Sequence, residues 1–264
     1  MTELLAPIGF TLFVWWFGTV AILYLDGLPR RTHKWSLAAG CALLLVGLWG
    51  LWTTREAATV AGAYLAFASA IAVWAWLELS FLLGWITGPR RQPCPPGATG
   101  WPRLKATLAV VWHHEVALLA LAVAVAWIGR GASNSVGLWT FAILALMRAS
   151  AKLNLYLGVR NLGAEFLPPQ LAYLATYFRR APMNPLFPVS VLGATVVACS
   201  LWQAALGGDA TTPAATTVGL SLLASLLSLG LAEHWFMVLP LPTQPLWQWG
   251  LRSRAAPVAR ERPG

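Results

Sequence analysis

Seven runs of apolar residues, each long enough to cross a bilayer, constrain this chain more than any other feature. They lie at about 4–25, 35–53, 58–87, 106–129, 137–159, 187–207 and 217–240. A spanning helix needs roughly 20 apolar residues, and inside lipid only a helix or a closed barrel satisfies its own backbone. Of the 264 residues, 58% are hydrophobic and only 10% are charged, whereas a soluble domain carries about 25% charged residues. Too few polar groups remain to face water. The expected fold class is therefore all-α, a polytopic transmembrane helix bundle of about seven spans. It forms one membrane-embedded domain over 1–251, followed by a disordered basic tail over 252–264. The first run starts at Leu4 and no small-residue cleavage site follows it, so it reads as a retained span. Trp15, Trp16, Trp35, Trp52, Trp85, Trp101 and Trp127 fall near span ends, where an amphipathic indole is best solvated.

The connections alternate in charge. The first holds Arg30, Arg31 and Lys34; the third holds Arg90, Arg91, Arg103 and Lys105; the fifth holds Arg160, Arg179 and Arg180; the tail holds Arg252, Arg254, Arg260 and Arg262. The second and fourth hold one arginine each, Arg55 beside Glu56 and Arg130, and the sixth holds only Asp209. The positive-inside rule puts the basic connections in the cytoplasm and the amino terminus outside, in the periplasm. Fourteen of the eighteen basic side chains then share one side, and the net charge of +9 reads as an orientation signal. Membrane lipid is the expected partner of this side, and no nucleic acid is expected.

In the fifth connection Pro168 and Pro169 precede Leu171, Leu174 and Phe178, and Arg179 and Arg180 close the segment. This predicts a short interfacial helix over about 168–180. Arg160, Glu165, Arg179 and Arg180 are the candidate interface residues. The three cysteines, Cys41, Cys94 and Cys199, form no CxxC pair, so neither a disulfide framework nor a zinc knuckle is expected.

Charged side chains inside spans cost roughly 2.5–3.5 kcal/mol each at a helix centre, so they mark paired networks or functional sites. Here they are Glu78, His113, His114, Glu115, Arg148, Lys152, Glu233 and His234. At 1.5 Å per residue all fall roughly 10–15 Å from the same face of the membrane, which predicts one shared polar site. His113, His114 and Glu115 are consecutive and fan around their helix, so only one histidine can face inward. Arg148 and Lys152 share a helical face and, with Asn154 and Tyr156, form a polar network able to pair with Glu78, Glu115 or Glu233.

Three readings of this layer remain open. His113, His114 and His234, with Glu78, Glu115 and Glu233, are candidate ligands for a metal such as non-haem iron, although the Glu-x-x-His spacing of di-iron bundles is absent. One neutral histidine could instead coordinate the magnesium of a bacteriochlorophyll or a precursor. Alternatively, the layer is an ion-pair network that fixes helix packing. No phosphate-binding glycine loop and no nucleophile elbow occurs in the sequence.

The stretch RASAKLNLYLGVRNLGAEFLPPQLAYLATYFRRAPMNPLFPVSV over 148–191, the WHHE of 112–115 and the AEHWFMVLPLP of 232–242 resemble the PuhE-type photosynthetic complex assembly proteins. The resemblance implies an integral protein of the bacterial inner (intracytoplasmic) membrane in purple phototrophs, encoded near reaction-centre and bacteriochlorophyll genes. It implies a role in assembling reaction-centre and antenna complexes or in modulating bacteriochlorophyll supply. Reaction-centre or light-harvesting subunits, or pigment-synthesis enzymes, would be the partners. It assigns no catalytic residues. A membrane-bound metal-dependent enzyme acting on a tetrapyrrole or other lipid-soluble substrate is the alternative function.

Overall fold

A computed structural model describes residues 2–209, 211–241 and 244–254. Seven helices are long and apolar enough to cross a membrane: α1 (Thr2–Asp26), α2 (His33–Thr54), α3 (Val60–Leu82), α4 (Gly100–Ile128), α5 (Val136–Leu157), α6 (Leu186–Leu206) and α7 (Ala214–Phe236). A short α8 (Gln244–Leu251) follows. Among the described residues the only β pairing is an isolated bridge between Val159 and Arg180.

Helices α3 and α7 form the centre. Helix α3 touches α1, α2, α4, α5 and α7, and α7 touches α1, α3, α5 and α6. Their facing residues Phe67, Leu222 and Leu226 are buried, while Val73 and Ala70 of α3 pack with Phe141 of α5. Lipid tails are as apolar as leucine, so close packing rather than hydrophobicity must hold such helices together. The α2–α3 seam shows how this is done. A Cβ on Gly47 would stand 2.8 Å from the Ser69 carbonyl oxygen and 2.9 Å from the Val73 side chain, so only glycine admits this approach. The three cysteines are free.

The segment after α3 differs from expectation. The third span was expected to run to residue 87, but α3 ends at Leu82 and Gly84 takes φ +80°. The chain then folds back along α4. The N–H of His114 donates to the Thr87 carbonyl at 3.1 Å, and that of Arg90 to Ala109 at 3.3 Å. Gly88 lies so close that a Cβ would meet the Ala109 carbonyl oxygen at 2.1 Å. Irregular backbone at this depth is tolerated where protein covers it, and Thr87 and Gly88 are buried. The 29 residues of α4 extend about 43 Å, beyond the roughly 30 Å hydrocarbon core.

The expected interfacial helix is a 3-10 helix, Pro169–Tyr177. Leu171, Leu174 and Tyr177 are its buried positions. Their spacing of three suits the 3-10 period, and Tyr177 replaces the expected Phe178 as the third inward residue. They pack on Phe81 and Val110. This helix is therefore clamped to the bundle through α3 and α4.

Both ends of the bundle are tied by side chains that serve backbone groups left over at helix termini. At the basic end, Arg103 Nη2 donates to the carbonyls of Tyr156 (2.9 Å) and Tyr177 (2.8 Å), and its guanidinium stacks over the Tyr156 ring. Asn161 Nδ2 donates to the carbonyls of Phe236 and Leu239 past the end of α7. At the opposite end, Asn134 joins two connections by donating to the carbonyls of Thr54 and Gly62. In the last connection Asp209 accepts from the hydroxyls of Thr211 and Thr212, which holds its carboxyl below the usual range.

The tail was expected to be disordered from Arg252. Its first three residues instead form a 3-10 turn, and positions 255–264, with Arg260 and Arg262, lie outside the described residues. Arg254 explains the order. Its Nη2 donates to both carboxylate oxygens of buried Asp26, at 2.7 and 2.9 Å, and to the Phe166 carbonyl. Helix α8 runs back beside α1, with Trp247 edge-on to Trp15 and the Trp16 indole bonded to the Leu246 carbonyl. Removing one partner of a buried ion pair costs about 3–5 kcal/mol, whereas replacing both with apolar groups costs less. Arg254→Leu should therefore lower the thermal unfolding midpoint in detergent more than Asp26→Leu/Arg254→Leu does. Equal losses would show that the pair does not anchor the tail.

Candidate functional site

The intramembrane polar residues meet around α5. At 100° per residue Arg148 and Lys152 fall on one face, and Ser150 and Asn154 on nearly the opposite one. Each face finds its partners on different helices, so the single shared site expected from depth is divided into three adjoining clusters.

In the first, Arg148 Nη2 donates to Glu78 Oε2 of α3 at 2.9 Å. Glu78 Oε1 and Arg148 Nε are buried and without a partner. In the second, Lys152 Nζ donates to Glu115 Oε1 of α4 at 2.5 Å. The same oxygen lies 3.3 Å from His114 Nδ1. His114 is buried edge-on to Phe81 at 4.7 Å, and its Nε2 is a buried atom without a partner. His113 stands on the exposed side of α4 beside Trp112. The fan of consecutive residues is thus resolved as expected, with one histidine inward and the other outward.

The third cluster lies on the other face of α5. His234 Nδ1 meets the Gly230 carbonyl at 2.8 Å and Nε2 meets Ser150 Oγ at 2.9 Å. A carbonyl only accepts, so Nδ1 carries a proton, and Nε2 is engaged by the serine hydroxyl. Asn154 continues the network by donating to Ser190 Oγ and accepting from Asn184 Nδ2 at 3.0 Å. Asn184 also receives the N–H groups of Leu186 and Phe187 at the start of α6. Both nitrogens of His234 are committed to helix packing and neither has a lone pair left for a ligand.

Glu233 stands apart from these bases. Its Oε1 accepts from the Trp15 indole at 2.9 Å. Together with Glu78 and Arg148 it lines a cavity of about 260 Å³ between α1, α3, α5 and α7. Tyr156, expected in the polar stripe, serves instead as the platform under Arg103. Arg160 and the Glu165 side chain are exposed at the basic end, as are Arg179 and Arg180. Arg103, Arg179 and Arg180 line an open cleft there with Cys94 and Thr176.

Among the described residues no three His, Cys, Asp or Glu side chains converge on one point as metal ligands would. Glu78 and Glu115 face guanidinium and ammonium groups instead, and Glu233 an indole. Sequence reasoning missed Ser150, Ser190 and Asn184, since uncharged polar residues in or beside spans carry no cost that would single them out, and it put Trp15 and Trp16 near a span end although they lie midway along α1. It also missed the Asp26–Arg254 pair, whose partners are separated by nearly the whole chain.

Comparison with known proteins adds an evolutionary frame. A family described as protein of unknown function, DUF3623, matches residues 1–258. A Rhodobacter capsulatus protein, named as an uncharacterized 30.4 kDa protein in the puhA 5' region, is 44% identical over 265 residues, covering 96% of this chain and 94% of its own. No solved structure matches. The match runs through all three clusters and both ends of the bundle, and the chain belongs to the DUF3623 family.

Proposed function

We propose that this protein is a multi-pass factor of the bacterial inner membrane that assists assembly of photosynthetic complexes or the supply of their bacteriochlorophyll, acting by binding. The observation that carries this reading is the 44% identity to a protein whose name places it in the puhA 5' region. It agrees with the gene neighbourhood implied by the PuhE-type resemblance. The geometry supports a binding role. Two of the three intramembrane carboxylates are spent on ion pairs between helices, and His234 is spent on packing. The metal-enzyme alternative needs convergent ligands, and no such group is present among the described residues.

Of the three candidate histidines, His113 alone combines an exposed position with no bond to a neighbouring helix. An imidazole on that surface, beside the ring of Trp112, suits axial coordination of a chlorin magnesium or docking of a pigment-protein subunit. The 260 Å³ cavity is smaller than the roughly 300–1,000 Å³ of sites for drug-sized ligands, too small for a whole macrocycle. The basic end would face the cytoplasm by the positive-inside rule, where Arg179 and Arg180 meet anionic lipid.

Two measurements follow. A phosphatase reporter fused after Gly207, in the α6–α7 connection, should be active in the periplasm, and the same reporter after Arg254 inactive; the reverse pattern would invert the orientation. In a phototrophic host lacking the gene, wild type should restore assembled complexes, read from near-infrared absorbance, while His113→Leu should restore well under half of them. No discrete pigment precursor should accumulate in either strain. Accumulation of one precursor would instead point to a catalytic step.

A further inference from the structure

The cavity between α1, α3, α5 and α7 has a chemistry that the ion pairs do not explain. Its walls are apolar, with Trp15, Trp74 and Met147 among them, and its polar groups are Glu78, Arg148 and Glu233. Arg148 pairs with Glu78 and Lys152 with Glu115. His234 is engaged at both ring nitrogens, by the Gly230 carbonyl and the Ser150 hydroxyl. That leaves Glu233 as the third carboxylate of a layer with two bases, and its bond from the Trp15 indole brings no charge. Glu78 Oε1 is buried without a partner and too enclosed to be reached from the cavity. Glu233 is the carboxylate that keeps acceptor capacity for this space, since Trp15 engages its Oε1 alone.

The cavity also reaches the surface. Glu233 lines it and is exposed in the protein alone, only three residues before the end of α7. An amphiphile could therefore enter from the bilayer with its head near the interface. A volume of about 260 Å³ holds a head group and the first carbons of a chain, roughly nine waters' worth at about 30 Å³ each. The rest of the chain would lie among the lipids.

We propose that this cavity binds the polar end of a lipid-soluble molecule whose head donates hydrogen bonds, a hydroxyl or an ammonium on a long apolar chain. Glu233 is its acceptor. A carboxylate head is rejected, because it would face two carboxylates with only one guanidinium, already engaged, between them. The inference does not depend on the process the protein serves, and it concerns a surface separate from His113.

The test uses the full-length protein in phosphatidylcholine nanodiscs, with dodecylamine, dodecan-1-ol and dodecanoic acid as probes and native mass spectrometry as the readout. The amine and the alcohol should bind saturably at one per chain. The acid should bind at least about tenfold more weakly, the scale of one charge-assisted hydrogen bond. Glu233→Gln should cost the amine about tenfold while changing the alcohol little, since the amide oxygen still accepts. Gly18 lines the cavity, and a Cβ there meets nothing within 4 Å, so Gly18→Leu should fold and displace both probes. Glu56→Gln, at the opposite end, should leave binding unchanged. Acid binding equal to amine binding would overturn the proposal. So would unchanged binding in both Glu233→Gln and Gly18→Leu.

Discussion

The structure depends on helix α5 carrying two positive charges, Arg148 and Lys152, to the level of the lipid. Neither can be left alone there, since an unpaired charge in hydrocarbon costs several kcal/mol. Each must be met by a carboxylate on a neighbouring helix, and this requirement chooses the neighbours. Glu78 brings α3 to one position on α5 and Glu115 brings α4 to the next turn. The opposite face of α5 carries Ser150 and Asn154, which take His234 from α7 and the Asn184–Ser190 segment at the start of α6. One helix thus sets the azimuth of four others. Apolar contacts in lipid are interchangeable between helices and could not do this alone.

The same requirement explains why the two ends of the bundle differ. At the basic end, long connections fold back onto the helices. Arg103, Asn161 and Arg254 tie them to carbonyls or to a buried carboxylate. The irregular backbone after α3 bonds to the backbone of His114, and the 3-10 helix packs on Phe81 and Val110 beside it. The opposite end is held by short connections and chiefly by Asn134. The exception is Glu233, which no base meets. In a layer otherwise settled by pairing, an acid beside an open cavity is the place where something from outside the chain can be recognised.

Much of this was legible in the sequence, for identifiable reasons. Seven apolar runs gave seven helices because hydropathy over 20 residues overwhelms local detail. The intramembrane charges stood out because their cost is large, but equal depth suggested one shared site where the structure has three clusters, with His113 outside them. What depth could not supply was azimuth. Arg148 and Lys152 could have turned to any of three carboxylates, and only packing separates Glu78 and Glu115 from Glu233. The end of α3 was misplaced because Leu83–Thr87 is as apolar as a span. Its departure from helix is set by Gly84 and by the fit of Gly88 against α4. Spacings of three and four described the segment after Pro169 equally well until the burial of Tyr177 decided it. Helix α8 was hidden in a short Trp-containing run with too few residues to show a period.

The central claim is that charge pairing across α5, rather than apolar packing alone, specifies the bundle. A double-mutant cycle on Lys152→Met and Glu115→Gln, read as thermal unfolding of the purified protein in mild detergent, tests it most directly. The account predicts that Lys152→Met alone is the most destabilising, by about 3–5 kcal/mol for an abandoned buried charge, and that adding Glu115→Gln recovers much of the loss. Strictly additive losses would show that the two side chains do not act as a pair. The helices would then be held in register by packing alone.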